Sequence, residues 1–230
     1  MIQAIFFDFN GVIINDERIH LQAYQEVLQT HDVELLEEDY FNCLGMNDVA
    51  FTRAAFARAG REVDDETMRT IIDREHELHR SFIEAEVPFA PGIVTFVREA
   101  AREFDLGIVS MAETSEIEHV LNPANLTHHF AVIVGAEPGL NYKPAPDCYR
   151  RGLELLNAAR RSDRRLPLLP AECLVIEDAP PGVAAGRAAG MRTLAITNTV
   201  AEPLLRAARA DVVSATLDDW NTDAVRLVFD

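Results

Sequence analysis

The amino-acid sequence predicts an α/β protein, a doubly wound parallel sheet into which an all-α domain is inserted. Three observations carry this. Six short apolar runs recur at 4–9, 106–111, 131–136, 173–178, 193–197 and 211–214. They do not alternate with polar residues, which suits strands buried on both faces. Helical stretches at 92–103, 115–121, 147–161, 182–189 and 202–209 separate each run from the next, and that order winds a parallel sheet. Residues 16–88 break the pattern, because no buried strand is legible there. The expected organisation is an α/β core of residues 1–15 and 89–230 around a helical domain of residues 16–88.

"AIFFDF" supplies the first strand and ends on an acid, Asp8, followed by Asn10 and Gly11. In the helical segment, "DERIHLQAYQEVL" sets Ile19, Ala23, Tyr24, Val27 and Leu28 on one stripe. "NDVAFTRAAFARAG" sets Val49, Ala50, Ala54 and Ala57 on another, with Gly60 as its stop. "DETMRTIIDREHELHRSFI" continues helical, and the prolines of "VPFAPG" mark a linker back to the core. "LGIVSM" ends at Ser110, ahead of a helix for which Ser115 and Glu118 have capping-box spacing. After "AVIVGA", Lys143 sits in the proline-locked loop "NYKPAPDCY", before a helix opening at Asp147. "CLVIED" ends on two adjacent acids, Glu177 and Asp178, and Gly182 opens the next helix. "TLAIT" and "DVVS" complete the sheet.

Composition bounds the function. At 230 residues and 48% hydrophobic content the chain can bury a sizeable core. Its net charge of −17 argues against a nucleic-acid or anionic-membrane partner. The helical segment alone holds 18 acids against 7 arginines. No apolar run approaches the ~20 residues of a membrane span. The N-terminus lacks the basic n-region of a signal peptide. Cys43, Cys148 and Cys173 are odd in number and scattered, which points to a reducing compartment. A cytoplasmic protein is expected, acting as a monomer or weak homodimer. Of 21 basic residues, Lys143 alone is lysine. A lysine kept among arginines suits a site that needs a compact ammonium.

Chemistry-bearing residues fall where ligands bind in such folds, beyond the carboxyl ends of strands. Asp8, Ser110 and the Glu177–Asp178 pair all lie at strand ends. Paired acids closing an apolar strand suit a hard cation. In order, "DFNGV" (8–12), "VS" (109–110), "KPAPD" (143–147) and "EDAPPG" (177–182) resemble the four motifs of the haloacid dehalogenase superfamily, with its Rossmann-like core. The helical insert is similar to the cap of the subfamily that holds β-phosphoglucomutase and many small phosphatases. "NDERIHLQAY", with His20 and Tyr24, looks like its cap entry. "LGMNDVAF", with Gly45, looks like its specificity turn.

The resemblance implies Mg²⁺ as cofactor and a small phosphorylated metabolite as substrate. It implies Asp8 as nucleophile, Ser110 and Lys143 as phosphate-binding groups, and Asp8, the Asn10 carbonyl and Asp178 as metal ligands, with Glu177 assisting. Asn10 departs from the pattern. Phosphatase and mutase members carry an aspartate there as general acid and base, and a neutral amide cannot exchange that proton. General acid–base help is worth ~10²–10⁴-fold, so turnover should be low while nucleophile and metal site survive. His20 is the nearest alternative proton donor by motif position, although a structural role suits it equally. A mutase should carry a basic residue soon after Gly45. Asp48 stands there and Arg53 follows, which favours a monophosphate hydrolase unless Asp48 merely caps its helix. A phosphosugar mutase and a weakened phosphometabolite-binding module are the alternatives. Dehalogenase chemistry, which needs no Mg²⁺, leaves the Glu177–Asp178 pair without a role.

Overall fold

A computed structural model describes residues 1–230. In chain order it comprises β1 (Ala4–Phe7), α1 (Glu17–Gln29), α2 (Glu37–Phe41), α3 (Asp48–Arg58), α4 (Asp65–Ile83), α5 (Ile93–Ala100), β2 (Asp105–Val109) and α6 (Thr114–Leu121). There follow β3 (Phe130–Val134), α7 (Asp147–Ser162), β4 (Cys173–Glu177), α8 (Pro180–Ala188), β5 (Arg192–Ile196), α9 (Glu202–Ala207), β6 (Val212–Ser214) and α10 (Thr222–Phe229). The chain divides into two compact units, Met1–Asn15 with Phe89–Asp230, and Asp16–Pro88.

The larger unit holds a six-stranded sheet in the order β3-β2-β1-β4-β5-β6. Every neighbouring pair is parallel, and Phe7 on the central strand aligns with Ile108 on one side and Ile176 on the other. The chain winds outward from β1 through β2 and β3, then crosses to β4 on the opposite side. In open α/β sheets such a switch, beyond the strands' carboxyl ends, is where ligands bind. Successive side chains of β1 face opposite layers. Phe6 packs with Tyr149 and Leu153 of α7 and Ala185 of α8. Phe7 meets Phe96 of α5 and Phe130 edge-on, both ring centroids at 6.0 Å. The strands read as continuous apolar runs because both faces are covered.

The smaller unit is helical, with α1 and α3 packed on α4. Its core gathers Tyr24, Leu28, Tyr40, Phe51, Phe56 and Ile71. Tyr24 and Phe51 stack tilted at 4.4 Å. The apolar stripe of α3 differs from the one the alanines predict. Phe51, Thr52, Ala55 and Phe56 are buried, while Val49 is exposed. Two phenylalanines bury far more apolar area than alanines one position away, so they set the rotation of the helix. In α1, Leu21 is buried and Ile19 only half-buried. Gly60 takes a left-handed φ of 69° just past the end of α3, the conformation that ends helices. No helix is long and apolar enough to cross a membrane.

Candidate active site

Strand order β2-β1-β4 sets Ser110, Asp8 and Glu177–Asp178 side by side at the carboxyl edge. Asp8 follows β1 directly, and its backbone N–H donates to the Ile176 carbonyl at 3.0 Å, which ties it to β4. The chain then turns tightly: Gly11 N–H donates to the Ile14 carbonyl (2.7 Å) and Ile13 N–H to Phe9 (2.8 Å). Gly11 takes a φ of 74°. A Cβ there would lie 1.8 Å from Asp178 Oδ2, so only glycine lets the first turn and the second acid approach each other. Asn10, half-buried, sits in this turn two residues past Asp8.

Lys143 arrives from the loop between β3 and α7 and is 3% exposed. Its Nζ lies 2.8 Å from Asp8 Oδ2 and 2.7 Å from Glu177 Oε1. It is also 5.3 Å from the centre of the Tyr149 ring. Burial works to lower its pKa, but the Asp8 and Glu177 charges outweigh burial and hold the ammonium above its ordinary range. Burial, then the Asp8 charge, pushes the Glu177 carboxyl up to about 7, while Lys143 works against them. The ionised carboxylate accepts four hydrogen bonds. Lys143 and the Tyr149 hydroxyl donate to Oε1, both at 2.7 Å, and the Asp178 and Ala179 N–H groups reach Oε2 at 3.2 and 3.4 Å. Such donors favour the charged form. Glu177 Oε1 therefore anchors Lys143.

Tyr149 escaped the sequence reading. It lies on α7, where one more aromatic on an amphipathic helix carries no signal. Asn198 escaped it too: its Nδ2 donates to the Gly11 carbonyl at 2.8 Å and braces the turn. Ser110 is 1% exposed, and its Oγ accepts from Ala112 N–H at 3.1 Å. The capping box expected at Ser115 and Glu118 lies two residues earlier. Glu113 is the N-cap of α6, and Glu116 accepts from the Glu113 N–H at 3.1 Å. A glutamate can reach its own third residue as serine does, so the two candidates overlap in sequence. Nor does Gly182 open α8. Pro180 and Pro181 occupy its first turn, where a missing N–H costs nothing. A Cβ on Gly182 would lie 1.8 Å from Glu177 Oε1, so that glycine makes room for the carboxylate.

Donor oxygens of Asp8, Glu177 and Asp178 lie within 4.8 Å of one another. This all-oxygen set fits a hard divalent cation such as Mg²⁺.

The helical unit holds the other predicted residues, and its own contacts define them. Gly45 takes a φ of 85° in the turn that follows α2. Asn47, not Asp48, caps α3, accepting from the Ala50 N–H at 2.9 Å. Asp48 instead accepts from the Tyr24 hydroxyl at 2.6 Å and lies 3.3 Å from His76 Nε2. Arg53 pairs with Asp65 at 3.1 Å on the surface. His20 sits between two buried acids, with Nδ1 2.8 Å from Glu75 Oε1 and Nε2 3.2 Å from Asp16 Oδ2. Burial works to lower its pKa, yet the Glu75 and Asp16 charges hold it well above the ordinary imidazole value.

The family model of haloacid dehalogenase-like hydrolases matches residues 5–196. The chain is 27% identical over 229 residues to Protein SUPPRESSOR OF QUENCHING 1, chloroplastic, from Arabidopsis thaliana, a match covering 95% of this chain and 20% of that protein. It is 29% identical over 188 residues to the fructose-1-phosphate phosphatase YqaB of Escherichia coli, covering 82% of this chain and 93% of that one. The crystal structure of a β-phosphoglucomutase from Clostridium difficile superposes with a TM-score of 0.86 at 19% identity, covering 100% of this chain and 97% of its own. The sheet order, the strand-end acids with their lysine, and the extent of the family match together make this chain a member of the haloacid dehalogenase-like hydrolases.

Proposed function

We propose that this protein is a Mg²⁺-dependent phosphatase of small phosphorylated metabolites, sugar monophosphates among them, working through an aspartyl-phosphate on Asp8. The observation that supports this most directly is the buried lysine. Its Nζ lies 2.8 Å from Asp8 and is anchored 2.7 Å from Glu177. A fixed ammonium beside a strand-end carboxylate offsets the charge a phosphate dianion brings there.

An Asp8 carboxylate oxygen attacks phosphorus, a P–O bond to Asp8 forms, and the ester P–O bond breaks with its electrons on the leaving oxygen. That oxygen takes a proton from solvent, because the Asn10 amide has none to give. Water then attacks the phosphorus of the aspartyl-phosphate, the P–O bond to Asp8 breaks with its electrons on the restored carboxylate, and the water's proton passes to solvent as inorganic phosphate leaves. Asn10 cannot take that water's proton either, so both steps run without general acid–base help. Lys143 and Ser110 hold the phosphoryl oxygens. Asp8, the backbone carbonyl of Asn10 and Asp178 would hold Mg²⁺, which when bound offsets the carboxylate charge facing the phosphate. Glu177, with Tyr149, positions Lys143.

The helical unit supports a monophosphate over a bisphosphate mutase substrate. Asp48, not a basic residue, follows soon after Gly45 and is engaged by Tyr24 and His76, and Arg53 is engaged by Asp65. We assign the protein to the cytoplasm, since all three cysteines are buried free thiols, and propose that it acts as a monomer or weak homodimer. Phosphate release from a panel of sugar monophosphates tests the reading. Release that needs Mg²⁺, stops with EDTA and vanishes in Asp8→Ala supports it. Release that persists in Asp8→Ala contradicts it.

A further inference from the structure

The loop that leaves β5 carries a buried hydroxyl that the proposed reaction does not use. β4 and β5 are neighbours in the sheet, with Glu177 aligned to Ala195. Asp178 and residues 197–199 therefore leave the same carboxyl edge side by side. The loop is held in place at two points. Thr197 N–H donates to the Ser214 carbonyl at 3.0 Å, and Asn198 Nδ2 donates to the Gly11 carbonyl at 2.8 Å. The next residue is Thr199. Its Oγ1 is buried and has no hydrogen-bond partner. A Cβ built on Gly11 would lie 2.7 Å from this oxygen and 1.8 Å from Asp178 Oδ2. The hydroxyl and the carboxylate oxygen thus crowd one point, the space that Gly11 leaves by having no side chain.

We propose that Thr199 is a positioning residue of the cation site: its hydroxyl donates to Asp178 Oδ2 and fixes that carboxylate when it holds a cation. The inference rests on the reading of Asp8 and Asp178 as Mg²⁺ ligands. Three arguments carry it. First, the roles are complementary. An ionised carboxylate only accepts, whereas a threonine hydroxyl can donate and turns to suit its partner. Secondly, burying a hydroxyl without a partner is costly, and Asp178 Oδ2 is the strong acceptor that the structure sets beside it. Asp178 is itself 1% exposed, so bulk water has little access to that oxygen. Thirdly, Mg²⁺ demands a near-ideal octahedral shell. A carboxylate that can swing holds it poorly, and the groups that hydrogen-bond ligating carboxylates set metal affinity. Gly11 and Thr199 then have linked tasks. The glycine opens the space beside Asp178, and the threonine brings a donor to it.

Titration calorimetry of Mg²⁺ binding to the full chain, with melting temperatures taken in EDTA, tests the assignment. Thr199→Val keeps the shape of the side chain and removes the donor. It should weaken Mg²⁺ binding ~10–100-fold. In EDTA it should melt no lower than the parent, because the hydroxyl it removes has no partner there. Thr199→Ser keeps the hydroxyl and should bind Mg²⁺ as the parent does. A threonine that merely fills space would give the opposite pattern, a lower melting temperature in EDTA with Mg²⁺ affinity unchanged, and that result overturns the assignment. So does Thr199→Ser losing as much affinity as Thr199→Val. Should Thr199→Val fail to fold, Thr199→Ala takes its place with the same two outcomes for Mg²⁺ affinity. A parent chain that binds no Mg²⁺ refutes the metal reading of the Asp8 site, and the assignment falls with it. A parent that binds Mg²⁺ no more tightly than Thr199→Val refutes the assignment alone.

Discussion

Around Lys143 the sequence is unforgiving because so much charge is buried. Glu177 is 0% exposed and holds Lys143, itself 3% exposed, at 2.7 Å. Breaking a buried pair leaves the survivor uncompensated, at a cost of about 3–5 kcal/mol. Glu177→Ala should lose that much in urea unfolding, and Tyr149→Phe less, about 1.5–3 kcal/mol for a hydrogen bond to a charged group. Gly11→Ala should lose Mg²⁺ affinity by calorimetry, because its Cβ would meet Asp178 Oδ2 at 1.8 Å. Normal Mg²⁺ binding by Gly11→Ala would show that the turn yields. Asp8, Ser110 and the Glu177–Asp178 pair are legible in the sequence because each ends an apolar strand, where an acid or hydroxyl stands out. Their supports are not. Tyr149 and Asn198 act through contacts between segments far apart in the chain.

At the scale of elements, the sheet is readable because parallel strands covered on both faces spell continuous apolar runs. The rotation of α3 is not, because alanine counts as apolar in a pattern yet contributes little area. Which stripe faces inward is settled by Phe51 and Phe56 finding Tyr24, Tyr40 and their neighbours. Phe56→Ala should therefore destabilise by about 3–5 kcal/mol, and Val49→Ala, at an exposed position, by no more than about 0.5 kcal/mol. Equal losses in urea unfolding would place the helix the other way round. The capping signals show the same limit. Glu113 and Ser115 both offer side chains that can cap α6, and the path out of β2 chooses between them.

Over the whole molecule, the charge of −17 repels polyanions and sets the response to acid. Asp48 shows the sign. Burial would raise its pKa, but the His76 contact and the Tyr24 hydroxyl outweigh burial and hold it below the ordinary range. A group depressed in the folded state contributes stability above the unfolded carboxylate pKa of about 3.9, and loses it as pH falls through the lower folded value. Melting temperatures taken from neutral pH downward should fall on the acid side, and fall less steeply in Asp48→Asn. A melting curve in which Asp48→Asn follows the parent slope throughout would remove Asp48 from this role.

The reading of the molecule as a complete phosphatase site short of one proton-transferring group rests on Asn10. The measurement that tests it most directly is the steady-state rate of phosphate release with Mg²⁺ for the parent chain and Asn10→Asp. Restoring a carboxylate should raise turnover ~10²–10⁴-fold. A parent chain that turns over briskly and gains nothing from Asn10→Asp would contradict the account.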